Sequence, residues 1–143
     1  MIATLFIALV LQTPVAADVD CDRAANTQEI NACAARDLAR EEARMDRYLA
    51  AAHARLDEDM AGTTGEPGFG PAWLDASQSA WAAYADIRCR GVYDRWKGGT
   101  IRTVMGLGCR IELTRQRTHD IWTDYLTFAD STPPILPEPI AAP

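Results

Sequence analysis

The sequence has few of the large aliphatic and aromatic residues that usually build a hydrophobic core. After the first 17 residues, the remaining 126 include only 8 Leu, 7 Ile, 3 Val and 2 Phe. These types make up about 16% of that part, below the roughly 20% under which a chain struggles to form a core. Four Trp and four Cys are present, and they supply apolar area and a covalent route to stability.

Other absences exclude whole classes of protein. An excess of basic residues is lacking, since the net charge is −6, and a nucleic-acid-binding role is therefore not expected. No collagen-like or low-complexity repeat occurs, and 143 residues are too few for a multidomain protein. No segment shows the alternation that is typical of a β-strand.

The sequence also offers little for catalysis. Its two histidines are His53 and His119, and the side chains of His119 and its neighbour Asp120 leave a helix about 100° apart. No serine lies in a nucleophile elbow, and no glycine-rich phosphate loop is present. We therefore expect a protein that is not an enzyme and needs no cofactor, with both histidines at solvent-facing helix positions.

The amino-terminal segment, residues 1–17, has the pattern of a signal peptide. Its apolar run over residues 2–11 is too short to span a membrane, and Val15 and Ala17 place small residues at −3 and −1 of a cleavage site. No lipobox precedes Cys21. We expect cleavage after Ala17 and a soluble periplasmic or secreted protein without a membrane span.

Four cysteines in a short exported chain predict two disulfides. Cys21 and Cys33 are 12 residues apart, Cys89 and Cys109 are 20 apart, and 56 residues separate the two pairs. Among the three possible connectivities, pairing within each close pair is favoured, and each bridge contributes on the order of 3 kcal/mol. A zinc site is the alternative use of four thiols, but the sequence has no C-x-x-C motif.

Apolar residues recur at helical spacing from Ile30 to Met60 and predict a long first helix. Asn26 or Thr27 can cap it, with Asn26 and Glu29 at the spacing of a capping box. A stretch rich in glycine and proline, residues 62–71, ends it.

Two further helices follow. The second is predicted from about Ala72 to the Gly98-Gly99 pair, and the third begins after Thr100, predicted as its cap, and reaches about Phe128. Because the chain has so little Leu and Ile, we interpret four aromatic residues at helical spacing as core: Trp81, Tyr84, Trp96 and Trp122. The alternative interpretation is that they line a ligand groove.

These segments predict an all-α fold in which three long helices form an antiparallel bundle or a helical hairpin arrangement, stapled by disulfides. The helical domain is expected over residues 18–129. Five of the eight prolines lie in residues 130–143, and this tail is predicted to be disordered. The sequence does not predict the oligomeric state.

A combination of motifs links the chain to known proteins. The four cysteines occur with a Gln-x-x-Trp-x-x-Tyr pattern and a Gly-Gly-Thr turn. The residues in the combined pattern besides the cysteines include Thr27, Gln78, Trp81, Tyr84, Asp86, Gly98, Gly99, Thr100 and Arg117. In this combination the chain resembles the lysozyme inhibitor LprI-like N-terminal domain family of small exported bacterial proteins. The resemblance implies a helical, disulfide-bonded protein that inhibits lysozyme or binds in the cell envelope.

Two structural roles are predicted for residues of this pattern. Trp81 and Gln78 are expected to be structural before they are contact residues. Asp86 and Arg117, on neighbouring helices, are expected to form a charge pair that fixes the register of the helices.

The candidate binding residues lie at the end of the first helix and in the following loop. Asp57, Glu58 and Asp59 stand where the helix dipole disfavours anions by roughly 0.3 to 1 kcal/mol each, and the loop carries Glu66 and Phe69. An ordinary solvated helix end and linker is the alternative interpretation.

Our hypothesis is that this acidic region binds and blocks a cationic lysozyme-type hydrolase or another basic envelope protein. The alternative is a structural or interaction module of the bacterial cell envelope with no enzyme target.

Overall fold

The computed structural model describes residues 19–62 and 70–139, which fold into helices without a β-strand. None of these helices combines the length and the apolar character that a bilayer crossing requires. In chain order the elements are a 3-10 turn, three α-helices and a π-helical turn: Cys21–Arg23, α1 (Thr27–Gly62), α2 (Pro71–Arg95), α3 (Arg102–Ile121) and Trp122–Leu126. The helices pack against each other, with α2 antiparallel to α1 and α3, so the predicted all-α fold is confirmed.

The start of α1 is closed by two reciprocal side-chain hydrogen bonds. The Glu29 backbone N–H donates to Asn26 Oδ1 at 3.0 Å, and the Glu29 carboxylate accepts from the Ala25 N–H at 2.8 Å. The second bond reaches one residue further back than a standard capping box does. Because the Ala25 N–H stabilises the charged carboxylate, the pKa of Glu29 lies below its usual value.

The first part of α1 is held by covalent and polar contacts. Cys21 and Cys33 form a disulfide with a Cα–Cα distance of 5.7 Å. Arg36 donates to the Val19 carbonyl at 3.0 Å. No residue of α1 before Glu41 is buried, so the disulfide holds the preceding segment on α1 without a surrounding core.

The buried residues form two clusters, which we call the larger core and the smaller core. Trp81, on α2, is partly buried and packs against both. The larger core consists of Met45, Tyr48, Ala52, Leu74, Ile121 and Leu126. The smaller core consists of Ala85, Cys89 and Leu113. Tyr, Met, Cys and Ala therefore fill many of the places that the scarce aliphatic residues usually occupy.

Charged residues join α1 to α3. Glu41 is only 3% exposed, and its carboxylate accepts from Arg115 at 3.1 Å and lies 3.2 Å from Arg44. Further along, Arg110 lies 3.9 Å from the Glu42 carboxylate. A buried carboxylate is tolerated only when it is paired, so these contacts constrain the register of α1 against α3.

The hairpin of α2 and α3 is closed by the second disulfide. Cys89 and Cys109 have a Cα–Cα distance of 5.5 Å, so both predicted pairings are confirmed. A Cβ at Gly106 would lie 3.4 Å from the Tyr93 Cβ, and this glycine therefore permits close packing of the two helices. The prediction that Thr100 caps α3 is wrong. The helix starts at Arg102 without a side-chain cap bond. Residues 96–101 form a turn, so Thr100 lies before the cap position.

The predicted disorder of the tail is also corrected, for residues 130–139. These residues have no helix or strand, but the Tyr48 hydroxyl donates to the Pro137 carbonyl at 2.7 Å and the Trp122 indole N–H donates to the Leu136 carbonyl at 2.9 Å. The side chain of Leu136 packs against the larger core. The prediction from proline content was wrong because groups of the helical segments, the Tyr48 and Trp122 side chains and the Leu126 carbonyl, form hydrogen bonds with the tail.

Two aromatic residues that were predicted as core lie at the surface. Tyr84 is 52% exposed and Trp96 is 39% exposed, whereas Trp81 and Trp122 are partly buried. Residues of a helix that are one position apart point about 100° apart, and the buried neighbour of Tyr84 is Ala85. The core face of α2 therefore excludes Tyr84.

Candidate functional site

One end of the bundle joins the last turns of α1 to the first turn of α2. His53 Nε2 lies 3.1 Å from Asp75 Oδ1, which ties the two helices together. The Met60 side chain occupies the space where a Cβ at residue 70 would stand, so Gly70 allows α2 to begin close against α1. This junction places the candidate acidic residues of α1 beside the start of α2.

Asp57, Glu58 and Asp59 are all exposed, but they do not form one patch. Because successive helix residues point about 100° apart, the three carboxylates leave α1 in three directions. Asp57 follows His53 by one turn and shares its side of the helix, toward α2. The last turn of α1 contains no basic residue, so no cation of that turn offsets the negative end of the helix dipole.

Asp59 differs from the other two because it faces a structural arginine. Arg55 Nε lies 3.7 Å from the Asp59 carboxylate. The same guanidinium donates to the Tyr125 and Thr127 carbonyls at 2.6 and 2.9 Å and lies 4.4 Å from the centre of the Phe128 ring. A cation at these last carbonyls stabilises the end of the helical segment after α3, and it offsets the charge of Asp59.

Trp73 is an exposed residue of α2 that was not among the binding residues predicted from the sequence. Its side chain is 64% exposed, and Met60 nearby in the junction is 47% exposed. The buried residue next to Trp73 in the sequence is Leu74. The register of Leu74, Trp81 and Ala85 is the signal that could have separated Trp73 from the core.

We call this surface the acidic end and define it by Asp57, Glu58, Met60 and Trp73. It combines two carboxylates with an exposed tryptophan and an exposed methionine. Aromatic residues and Met are enriched at the centres of protein interfaces, and charges are typical of their rims. The arrangement is therefore suited to protein binding.

Comparison with known sequences identifies the family. The sequence model of the lysozyme inhibitor LprI family matches residues 21–121. The chain belongs to this family. The chain is also similar to an uncharacterised protein of Rhizobium meliloti (strain 1021), at 28% identity over 105 residues that cover 71% of this chain and 76% of the relative. No solved structure matches the chain.

In this LprI family member, Arg117 connects α3 to α2 by hydrogen bonds. It donates to Gln78 Oε1 at 3.0 Å and to Ser77 Oγ at 2.7 Å. The predicted charge pair with Asp86 is wrong, because Asp86 lies two turns further along α2 and accepts from Arg90 at 2.7 Å. In the antiparallel register of α2 and α3, Arg117 faces the first half of α2 instead.

The other residues of the family pattern have local positions. Thr27 is the first residue of α1. Tyr84 accepts a hydrogen bond from Arg88 at 3.2 Å on the surface of α2. Gly98, Gly99 and Thr100 lie in the turn before α3, where the Gly99 N–H donates to the Trp96 carbonyl at 2.8 Å.

Both histidines of this LprI family member contact carboxylates. His53 contacts Asp75, as described above, and His119 Nε2 lies 3.2 Å from Glu138. They are half exposed and take part in surface contacts between elements, which the prediction of solvent-facing positions did not include. All four cysteines are in disulfides, so the zinc alternative is excluded. Within residues 19–62 and 70–139, no three His, Cys, Asp or Glu residues are grouped to hold a metal ion.

Some predicted features lie outside the described residues. They are the signal peptide over residues 1–17 and the loop residues Glu66 and Phe69. Their proposed roles stay predictions from the sequence.

Proposed function

We propose that this LprI family member is an exported, non-enzymatic protein that binds and blocks a basic lysozyme-type hydrolase. The description of the family as lysozyme inhibitors supports this proposal. Two disulfides fit an oxidising compartment outside the cytoplasm. Cleavage of residues 1–17 and a periplasmic or secreted location complete the proposal.

The observation that carries the proposed mode of binding is that the exposed Trp73 of α2 and the exposed carboxylates of Asp57 and Glu58 of α1 lie at the same end of the bundle. Carboxylates at the rim of an interface accelerate the encounter with a basic partner. A tryptophan that becomes buried on binding supplies contact area and slows dissociation. In the sequence, Glu66 and Phe69 lie between the two helices that form this end, and we include them in the proposed contact surface.

The first experiment measures whether the purified protein reduces the lytic activity of a panel of lysozymes. Inhibition of at least one basic lysozyme is expected. Absence of both inhibition and binding across the panel would contradict the proposal and favour the envelope module with no enzyme target. Exposed Tyr84 and Ile87 on α2 are the surface that favours this second candidate.

The second experiment locates the contact surface by binding kinetics at two salt concentrations. The double substitution Asp57→Asn and Glu58→Gln should slow association several-fold and flatten its salt dependence. The matched control is Asp86→Asn with Asp94→Asn, which removes the same charge from exposed positions further along α2. Equal effects of the two pairs would indicate that net charge alone, and not the acidic end, determines association.

Trp73→Ala tests the aromatic contact in the same assay. We expect dissociation to become about tenfold faster or more, with little change in association. Tyr84→Ala is the control, because Tyr84 is also an exposed aromatic residue of α2 but lies about three turns from Trp73. Unchanged dissociation for Trp73→Ala would place the interface elsewhere.

A further inference from the structure

Residues 135–138 of the proline-rich tail lie against the helices. We call the surface that they contact the tail groove and define it by Arg47, Tyr48 and Ala51 of α1 with Trp122 of the π-helical turn. Leu136 and Pro137 of the tail lie against these residues. The family match ends at Ile121, so Trp122 and the tail are outside the part that the family description covers.

Two polar contacts in the tail groove are directed at carbonyls of the tail, and a third runs the other way, from the Ile135 N–H to the Leu126 carbonyl at 2.9 Å. Trp122 Nε1 donates to the Leu136 carbonyl at 2.9 Å, and the Tyr48 hydroxyl donates to the next carbonyl, that of Pro137, at 2.7 Å. Prolines supply carbonyl acceptors but no backbone N–H. Aromatic side chains that carry a donor are therefore suited to bind proline-rich peptides, which is how several peptide-recognition domains use Trp and Tyr.

Two side chains of the tail give the groove its selectivity. Leu136 packs against the larger core, whereas the preceding Ile135 is 43% exposed. Two residues after Leu136, the Glu138 carboxylate lies 3.2 Å from His119 Nε2. The contacts therefore favour a leucine and, two positions later, an acidic residue, and Pro137 between them supplies the carbonyl that Tyr48 binds.

We propose that the tail groove is a binding site for a proline-rich peptide segment with the pattern Leu-Pro-Glu, and that the tail of this chain is its resident ligand. The contacts are made by one aromatic donor from α1 and one from the π-helical turn, so the donors belong to the helical framework and remain when the tail leaves. The site is independent of the acidic end, and this proposal does not rest on inhibition of lysozyme.

The tail acts as an intramolecular competitor for this site. A short flexible connection gives a tethered ligand an effective concentration on the order of millimolar. A peptide from another molecule therefore binds the intact chain weakly. Any change that releases the tail strengthens that binding by the reciprocal of the fraction of chains in which the groove was free.

The experiment uses the full-length chain and a fluorescent synthetic peptide with the sequence of residues 131–139. In the chain, Leu136→Asp places a charge against the larger core and should release the tail. Fluorescence anisotropy should then show the wild-type peptide binding to this variant at least tenfold more tightly than to the wild-type chain. The matched control is Ile135→Asp in the chain, which introduces the same charge at the exposed neighbouring position and should bind the peptide as weakly as the wild type.

Two further measurements test the specific contacts. Adding Tyr48→Phe to the Leu136→Asp chain removes one donor and should weaken peptide binding several-fold. A peptide carrying the Leu-to-Asp change should not bind. Circular dichroism checks that the variants remain helical, and Leu136→Ala replaces Leu136→Asp if the latter unfolds. Equal peptide affinity of the wild-type and tail-released chains, or no effect of Tyr48→Phe, would overturn the proposal.

Discussion

The two halves of the bundle are held together in different ways. The half around the larger core buries six apolar residues from α1, α2, α3 and the π-helical turn, and the tail packs over it. The half around the smaller core buries three, one of which is Cys89 of a disulfide. Beyond it, the first part of α1 has no buried residue and carries the other disulfide. In this molecule covalent links are found where buried apolar area is smallest, as expected for a chain poor in aliphatic residues.

The largest expected effect is on the residue that connects the halves. Trp81→Ala should lower the free energy of unfolding by about 3 to 5 kcal/mol, because the ring packs against both cores. Trp73→Ala is the control and should change it by less than about 0.5 kcal/mol, since Trp73 is 64% exposed. Urea denaturation measures both. Similar values for the two variants would mean that the cores are not coupled through Trp81.

An intermediate effect is expected for the disulfides, and it should differ between them. Replacing Cys89 and Cys109 by Ala should cost about 2 to 4 kcal/mol, since this bridge lies in the smaller core. The same change at Cys21 and Cys33 should have a smaller effect on global unfolding and should mainly increase local opening before α1.

Urea denaturation with native-state hydrogen exchange separates the two disulfide effects. A larger global loss for the Cys21 and Cys33 variant would show that the start of α1 unfolds together with the core.

The smallest effect concerns the start of α1 and depends on pH. The pKa of Glu29 is lowered in the folded protein. Its contribution to the free energy of unfolding is therefore fully present above the usual pKa of the carboxyl group. It is lost as the pH falls through the lowered folded value. An NMR titration should show the Ala25 amide signal moving with Glu29, and the protection of that amide from exchange, relative to its intrinsic rate at each pH, should fall at acid pH.

Glu29→Gln is the control for this titration, since Gln can still accept the bond but does not titrate. An Ala25 signal that moves equally in the control would assign the change to another group.

Local sequence signals predicted much of this architecture. Asn26 with Glu29, the glycine-rich stretch from Gly62 and the spacing of the cysteines are contained within short segments, and the structure has the helices and both bridges where these signals indicate. Such features depend on neighbouring residues and need no knowledge of how the helices pack.

Features that depend on packing between distant segments were not predictable in the same way. The order of the tail depends on Tyr48 and Trp122, which the helices bring to one groove. The partner of Arg117 depends on the register of α2 and α3, which places Gln78 and not the predicted Asp86 within hydrogen-bond distance. The candidate acidic region was predicted from charge, but the different surroundings of Asp57 and Asp59 follow from the orientation of α1.

The order of the two disulfides along the chain has a consequence for biosynthesis. Each bridge joins cysteines that are consecutive in the sequence, the first with the second and the third with the fourth. A chain that is oxidised from its amino terminus as it emerges from a translocation channel forms the native pairs in the order in which the thiols appear. Reshuffling of wrong disulfides, which takes seconds to hours, is then not required, and we expect oxidative folding of this chain to proceed without a disulfide isomerase.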